Sequence, residues 1–190
     1  MTTTTYPVLF KSQFLGTTAA VVYTVPTSPE QTLHDLVVKL TNVTSATATA
    51  TVHATDPNVP DDSQSGAHDG SNNAAALADS GQSWTTDQWV NYKVKNITDG
   101  SSALITANTA TGVTATLSGG AEDDWDTGDV YSIVEGPLDL NAVVKQISIP
   151  PRDFVLVPVP RLDSEAEIYA LASSASAITI QAIGGKLRTL

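Results

Sequence analysis

The chain reads as all-β: a jelly-roll-like or immunoglobulin-like β-sandwich carrying an inserted small β domain. Three observations lead there. Residues 21–55 and 142–187 are both rich in Val, Ile, Thr and Ala and are punctuated by short polar turns. Between them lies a block of different composition that holds all three tryptophans, Trp84, Trp89 and Trp125. Strong helix start and stop signals are missing throughout.

A length of 190 residues suffices for one sizeable core or two small ones, since domains commonly run to roughly 100 to 150 residues. The composition shifts suggest an N-terminal arm over residues 1–20, a discontinuous sandwich from 21–73 and 137–190, and an inserted domain over 74–136.

The arm is polar at first and then carries Tyr6, Val8, Leu9, Phe10 and Phe14, a pattern suited to docking on a neighbour and ordering there. Residues 21–25 are a β-branched run stopped by Pro26, and 27–31 supply a polar turn. In 35–43, Leu36, Val38 and Leu40 alternate with Val37, Lys39 and Thr41, the period of two of a strand with one buried face. Residues 42–46 read as a hairpin turn into 47–55. There Ala48, Ala50, Val52 and Ala54 share one face and Thr49, Thr51, His53 and Thr55 the other. Inward residues this small imply a closely approaching second sheet.

From 56 to 81 the composition turns to Asp, Pro, Ser, Asn and Gly, which reads as a long loop; its Ala-rich piece at 74–78 suggests at most a helical turn. The middle block then has the grammar of hairpins: strands at 89–96, 102–107, 113–117 and 130–134, with Asp99-Gly100 and Gly119-Gly120 at the reversals. After Pro137 the outer pattern resumes with strands at 142–149, 154–159, 167–172 and 178–183, the prolines at 150, 151, 158 and 160 lying at strand ends or edges.

These segments carry a resemblance. Tyr23-Thr24-Val25-Pro26, residues 40–48, Ile168-Tyr169-Ala170 and the run at 175–185 (A-S-A-I-T-I-Q-A-I-G-G) resemble a module of tailed-phage virion proteins. The middle block is similar to a second phage-associated element at Trp89, 93–101, 107–109, Trp125, Gly128-Asp129, Tyr131 and Ile133. The resemblance implies a virion structural protein: a capsid decoration or cement protein on the capsid surface, assembled in the host cytoplasm. Its implied partners are the major capsid protein and copies of itself, grouped as a homotrimer. The alternative is a tail, neck or fibre component whose inserted domain binds a host-surface receptor or glycan.

Composition and motifs bear on chemistry. The formal charge is −11, with nine Lys and Arg against 20 Asp and Glu, which speaks against nucleic acid, whose backbone is bound by dense basic side chains. Cysteine is absent, so disulfides and thiolate metal sites are excluded. No apolar run approaches the roughly 20 residues of a membrane-spanning helix, and the first residues lack a signal-peptide pattern, so neither secretion nor a membrane partner is expected. The acidic cluster Glu122, Asp123, Asp124, Asp126 and Asp129 offers oxygen ligands, but not at EF-hand spacing, and reads as a solvated turn. His34, His53 and His68 are scattered over separate segments. No nucleophile elbow, phosphate-binding glycine loop or H-E-x-x-H sequence occurs. The sequons at Asn42 and Asn96 are read as turn sequences. The expectation is a protein that is not an enzyme and takes no metal or cofactor. Its candidate interaction residues are Tyr6, Phe10, Phe14, Trp84, Trp89 and Trp125. For the tryptophans the first reading is a local core, and the functional one an exposed aromatic platform.

Overall fold

The computed structural model describes residues 3–5, 9–27, 30–55, 65–138 and 141–189. The chain divides into two compact units, Met1–Asp56 with Pro137–Leu190, and Pro57–Gly136. Both are built from strands, and no α-helix occurs among the described residues.

The first unit contains β1 (Thr3–Thr5), β2 (Gln13–Phe14), β3 (Ala20–Thr24), β4 (Gln31–His34), β5 (Val37–Asn42) and β6 (Ala48–Thr55). After the second unit, with its strands β7 to β13, it continues with β14 (Ala142–Ile149), β15 (Phe154–Pro158), β16 (Glu167–Ala172), β17 (Ile178–Ala182) and β18 (Lys186–Thr189). Two four-stranded antiparallel sheets, β15-β5-β17-β2 and β14-β6-β16-β3, form a sandwich, and β1-β18-β4 makes a smaller third sheet. The two outer stretches of sequence therefore pair directly: β6 is hydrogen-bonded to β14 on one side and β16 on the other.

The alternation seen in the sequence selects the inner faces. Val38 and Leu40 of β5, Ile178 and Ile180 of β17 and Val157 of β15 share one buried cluster with Ala48, Ala50 and Val52 of β6 and Ile168, Ala170 and Ala172 of β16. The large side chains lie in one sheet and the small ones mostly in the other, a complementarity that lets the layers interlock. The opposite face of β6 is covered as well. Thr51, His53 and Thr55 are buried, with Thr51 Oγ1 accepting from Gln146 N (3.0 Å), His53 Nδ1 donating to the Leu138 carbonyl (3.0 Å) and Thr55 Oγ1 donating to the Glu167 carbonyl (3.3 Å).

Three expectations are corrected. Residues 42–46 are not a hairpin turn, because β5 and β6 lie in different sheets. The chain instead arches from one layer to the other, and the fully buried Asn42 side chain takes over the work of a ladder. Its Nδ2 donates to Ala46 O (2.7 Å) and Ile149 O (2.9 Å), while its Oδ1 accepts from Thr44 N (2.9 Å) and Thr44 Oγ1 (2.8 Å). Nor do the described residues among 1–20 form a free arm. β1 pairs with β18 and β2 with β17, Leu15 is buried, and Phe10 stacks on Tyr23 with ring centroids 5.7 Å apart. The open sheet edges and the uncovered end of the core take up these residues.

The third correction is the domain boundary. The second unit contains β7 (Ser65–Ala67), β8 (Ala76–Ala78), β9 (Lys93–Asn96), β10 (Ser102–Leu104), β11 (Ala107–Asn108), β12 (Gly112–Thr114) and β13 (Val130–Val134). They form the sheets β10-β9-β13-β7 and β11-β12-β8. Because β7 pairs with β13, the described residues from 65 onward belong here, not to the sandwich as a boundary at 74 would have it. The Ala-rich piece at 74–78 is extended, with Leu77 of β8 opposite Val113 of β12. The sequence reading missed β7, β8 and β11 because each is only two or three residues long, too short to show a period. The first hairpin follows its sequence: Gly100 has φ +88° and Asp99 Oδ1 accepts from Ser101 N at 2.6 Å.

Candidate interaction surface

The sequence-derived interaction residues separate into interior and surface. Trp84, Trp89 and Trp125 are 9%, 8% and 1% exposed and form the core of the second unit with Leu77, Val94, Ile105, Val113, Tyr131 and Ile133. Trp84 and Trp125 both meet Tyr131 edge-on, with centroids 6.2 and 6.5 Å apart, and Trp84 meets Trp89 likewise at 6.5 Å. The exposed aromatic platform is thus overturned: in a unit short of large aliphatic side chains, the indoles are needed inside. Phe10 is half-buried against Tyr23. Tyr6 lies outside the described residues. Among the five described, Phe14 alone is open, at 62% exposure.

The polar candidates serve structure. In the acidic turn, Asp126 Oδ1 accepts from Asn73 N (2.8 Å), and Asp129 Oδ2 accepts from Asp126 N (2.9 Å) and Asn96 Nδ2 (2.8 Å). These carboxylates tie the strand entry of β13 to its neighbours, and no group of three or more acidic, His or Cys residues set to hold a metal ion occurs among the described residues. His68 Nδ1 accepts from Ala78 N (2.9 Å) while Nε2 donates to Ser71 O (3.1 Å), which uses both ring nitrogens. His34 Nε2 is paired with Thr32 Oγ1 at 2.9 Å. A Ser80 hydroxyl and backbone amide on the Asp69 carboxylate hold its pKa below the usual value.

Two buried tyrosines sit against acids. Tyr169 Oη donates to Glu167 Oε2 at 2.6 Å, and Tyr131 Oη donates to Asp79 Oδ2 at 2.7 Å. Burial, reinforced by the neighbouring carboxylate, raises both phenols well above the ordinary tyrosine range. A phenol held protonated in this way is a hydrogen-bond donor, not a base.

The unoccupied feature is the outer face of the β15-β5-β17-β2 sheet. Outward positions alternate with the core ones: Val37, Lys39, Thr41 and, beyond the strand end, Val43 on β5; Phe154, Leu156 and Pro158 on β15; Thr179 and Gln181 on β17, with Ile183 following; and Phe14 on β2. Among the described residues eight large apolar side chains are exposed, and Phe14, Val43, Phe154, Leu156 and Ile183 of them fall on this one face. None of the face's residues is acidic, although the chain has 20 Asp and Glu. Its one charge, the Lys39 ammonium, lies 4.4 Å from the centroid of the Phe154 ring. Large contiguous exposed apolar patches on a soluble protein are characteristic of interaction sites, for proteins, membranes or ligands.

The sequence reading found Phe14 but not the rest of this face. The signal was present in F-V-L-V-P at 154–158, where apolar residues fill both parities of the strand. A strand wetted on one face alternates; one covered on both does not.

Comparison with family models, curated proteins and solved structures finds no match to this chain.

Proposed function

We propose that the chain is a structural component of a tailed-phage virion, a decoration or cement protein. It binds the outer shell, contacts the major capsid protein and copies of itself, and stabilises the head by burying surface rather than by turnover. The observation that carries this reading is the carboxylate-free apolar face of the β15-β5-β17-β2 sheet. A protein of net charge −11 that keeps one broad face apolar is made to be covered. Each Å² of apolar surface removed from water contributes roughly 25 cal/mol, and a symmetric lattice multiplies modest contacts into avidity.

The connectivity supports the same reading. Each strand of one main sheet is followed or preceded in the chain by the strand at the same position in the other: β2 and β3, β5 and β6, β14 and β15, β16 and β17. We read this order as that of two interlocked Greek keys, a jelly-roll-like sandwich, an architecture found among viral capsid domains, lectins and cupins. Fold alone does not decide among those roles; the apolar face and the structural use of the buried acids favour assembly over catalysis. Exposed tryptophans on the inserted unit would have favoured the tail, neck or fibre alternative, and these are interior.

The test is addition of purified protein to shells that lack it. Binding in many copies, with a raised temperature of shell disruption, is the expected result. Failure to bind shells removes the proposal, and binding at one vertex only moves the protein to the neck or tail.

A further inference from the structure

We infer that the outer face of the β15-β5-β17-β2 sheet is covered by the same face of a second copy, related by a two-fold axis that runs between β5 and β17 and parallel to them. The inference extends the proposed structural role but rests on the sheet register, not on the virion setting.

The register makes the face self-complementary. One row across the sheet reads Phe154, Thr41, Thr179, Phe14, aromatic at both ends and threonine in the middle. A two-fold axis between β5 and β17 exchanges the ends of that row, so Phe154 meets the second copy's Phe14, and Thr41 its Thr179, twice over. The next row reads Leu156, Lys39, Gln181. The same rotation sets Lys39 against the neutral Gln181 of the other copy rather than against a second lysine. In the third row Val37 comes opposite Ile183, whose amide donates to the Val37 carbonyl within one chain. An interface in which residue i contacts j and j contacts i is the isologous pairing of a closed dimer, and aligned stacking of two twisted sheets is a common packing mode.

Electrostatics favours a like copy at this face. Two chains of charge −11 repel over most of their surface, yet here no carboxylate opposes another and the lone ammonium already lies over its own Phe154 ring. The size of the face sets the strength. Four strands at about 4.8 Å spacing and seven residues at about 3.3 Å give a footprint of about 19 by 23 Å. That is below the ~800 Å² per partner of a standard interface, so dissociation on the order of 10–100 µM is expected. Because the pairing closes at two copies, this contact yields a dimer in place of the trimer that the resemblance implied.

Sedimentation equilibrium of the full chain from about 5 to 500 µM tests the inference, the range bracketing the expected affinity. Wild type is expected to pass from monomer to dimer. Thr179→Glu, with two carboxylates at the centre of the contact, should remain monomeric, while its far-ultraviolet circular dichroism and melting stay those of the wild type. Gln181→Glu should dimerise several-fold more tightly, because it faces Lys39 across the axis, even though it makes each chain more acidic. A wild-type chain that stays monomeric throughout, a trimer, or weaker association of Gln181→Glu overturns the inference. Shell binding is read separately: protein that dimerises without binding shells upholds the dimer and removes the virion role, and shell binding by a strictly monomeric wild type does the reverse.

Discussion

The Tyr131 hydroxyl donates a 2.7 Å hydrogen bond to Asp79 Oδ2, and the backbone of Gly66 passes so close that a Cβ there would lie 2.5 Å from that carboxylate oxygen and 2.8 Å from the phenol. Gln82 Nε2 completes the group, donating to both Asp79 Oδ2 and Tyr131 Oη at 3.1 Å. Gly66→Ala therefore forces apart a buried, satisfied polar pair, and should destabilise the second unit by about 2–3 kcal/mol. Tyr131→Phe keeps the ring packing and removes two bonds, the one to Asp79 and the one from Gln82, for a loss of about 1–3 kcal/mol. Urea unfolding followed by tryptophan fluorescence reads both, since all three tryptophans lie in this unit.

Tyr131 and Tyr169 both bind their protons more tightly in the folded chain than at the ordinary value of 10.0, chiefly through burial. Their contribution to stability is complete below that value and is lost as pH rises from it towards the folded pKa, because the unfolded chain ionises first. Stability measured between pH 8 and 11 should fall for the wild type, and Tyr131→Phe with Tyr169→Phe should flatten the fall. An unchanged slope in the double variant would exclude the two phenols as its source.

Asn42→Ala deletes four hydrogen bonds at once and leaves the buried Ile149 carbonyl without this donor. At about 1 kcal/mol for each bond, the expected loss is about 3–4 kcal/mol, read from the denaturation midpoint of the sandwich. If β5 and β6 were joined by an ordinary surface turn, the same substitution would cost about 1 kcal/mol or less.

In the sandwich core, Leu40→Ala should cost about 3 kcal/mol through lost burial and a residual cavity. Ala170→Leu should cost about 1–3 kcal/mol by overfilling the space between the layers. The pair separates a packed interface between large and small side chains from a loosely collapsed one, in which the larger residue would be tolerated.

Native emission from Trp84, Trp89 and Trp125 should be blue-shifted and poorly quenched by iodide, as their burial requires. Strong quenching would restore the exposed aromatic platform to the second unit.

How far such features were legible depended on how local their causes are. The alternation of Leu36, Val38 and Leu40, and of Ala48, Ala50 and Val52, marked the inward faces before any partner was known. The clustering of aromatic residues in the middle block marked a second core in the same way. The arch at Asn42 was not legible, because hairpin and arch share one local sequence and differ only in whether Ile149, 107 residues away, lies beneath the side chain. The apolar face was hidden for a related reason: Phe154 and Leu156 look like core residues of a doubly covered strand until the layer that covers β15 is seen to lie on one side only.

The amino-acid sequence by itself determined that this chain is all-β, where most of its longer strands run and, for strands that alternate cleanly such as β5 and β6, which side chains face the core, because period, turn chemistry and side-chain size act over a few residues. Only the tertiary structure decided which strands pair, that residues 9–20 join the sandwich, and that Phe14 comes into one row with Thr179, Thr41 and Phe154. Those outcomes depend on contacts between segments far apart in the chain, whose free energy is set by the fit of whole faces and not by any single window of sequence.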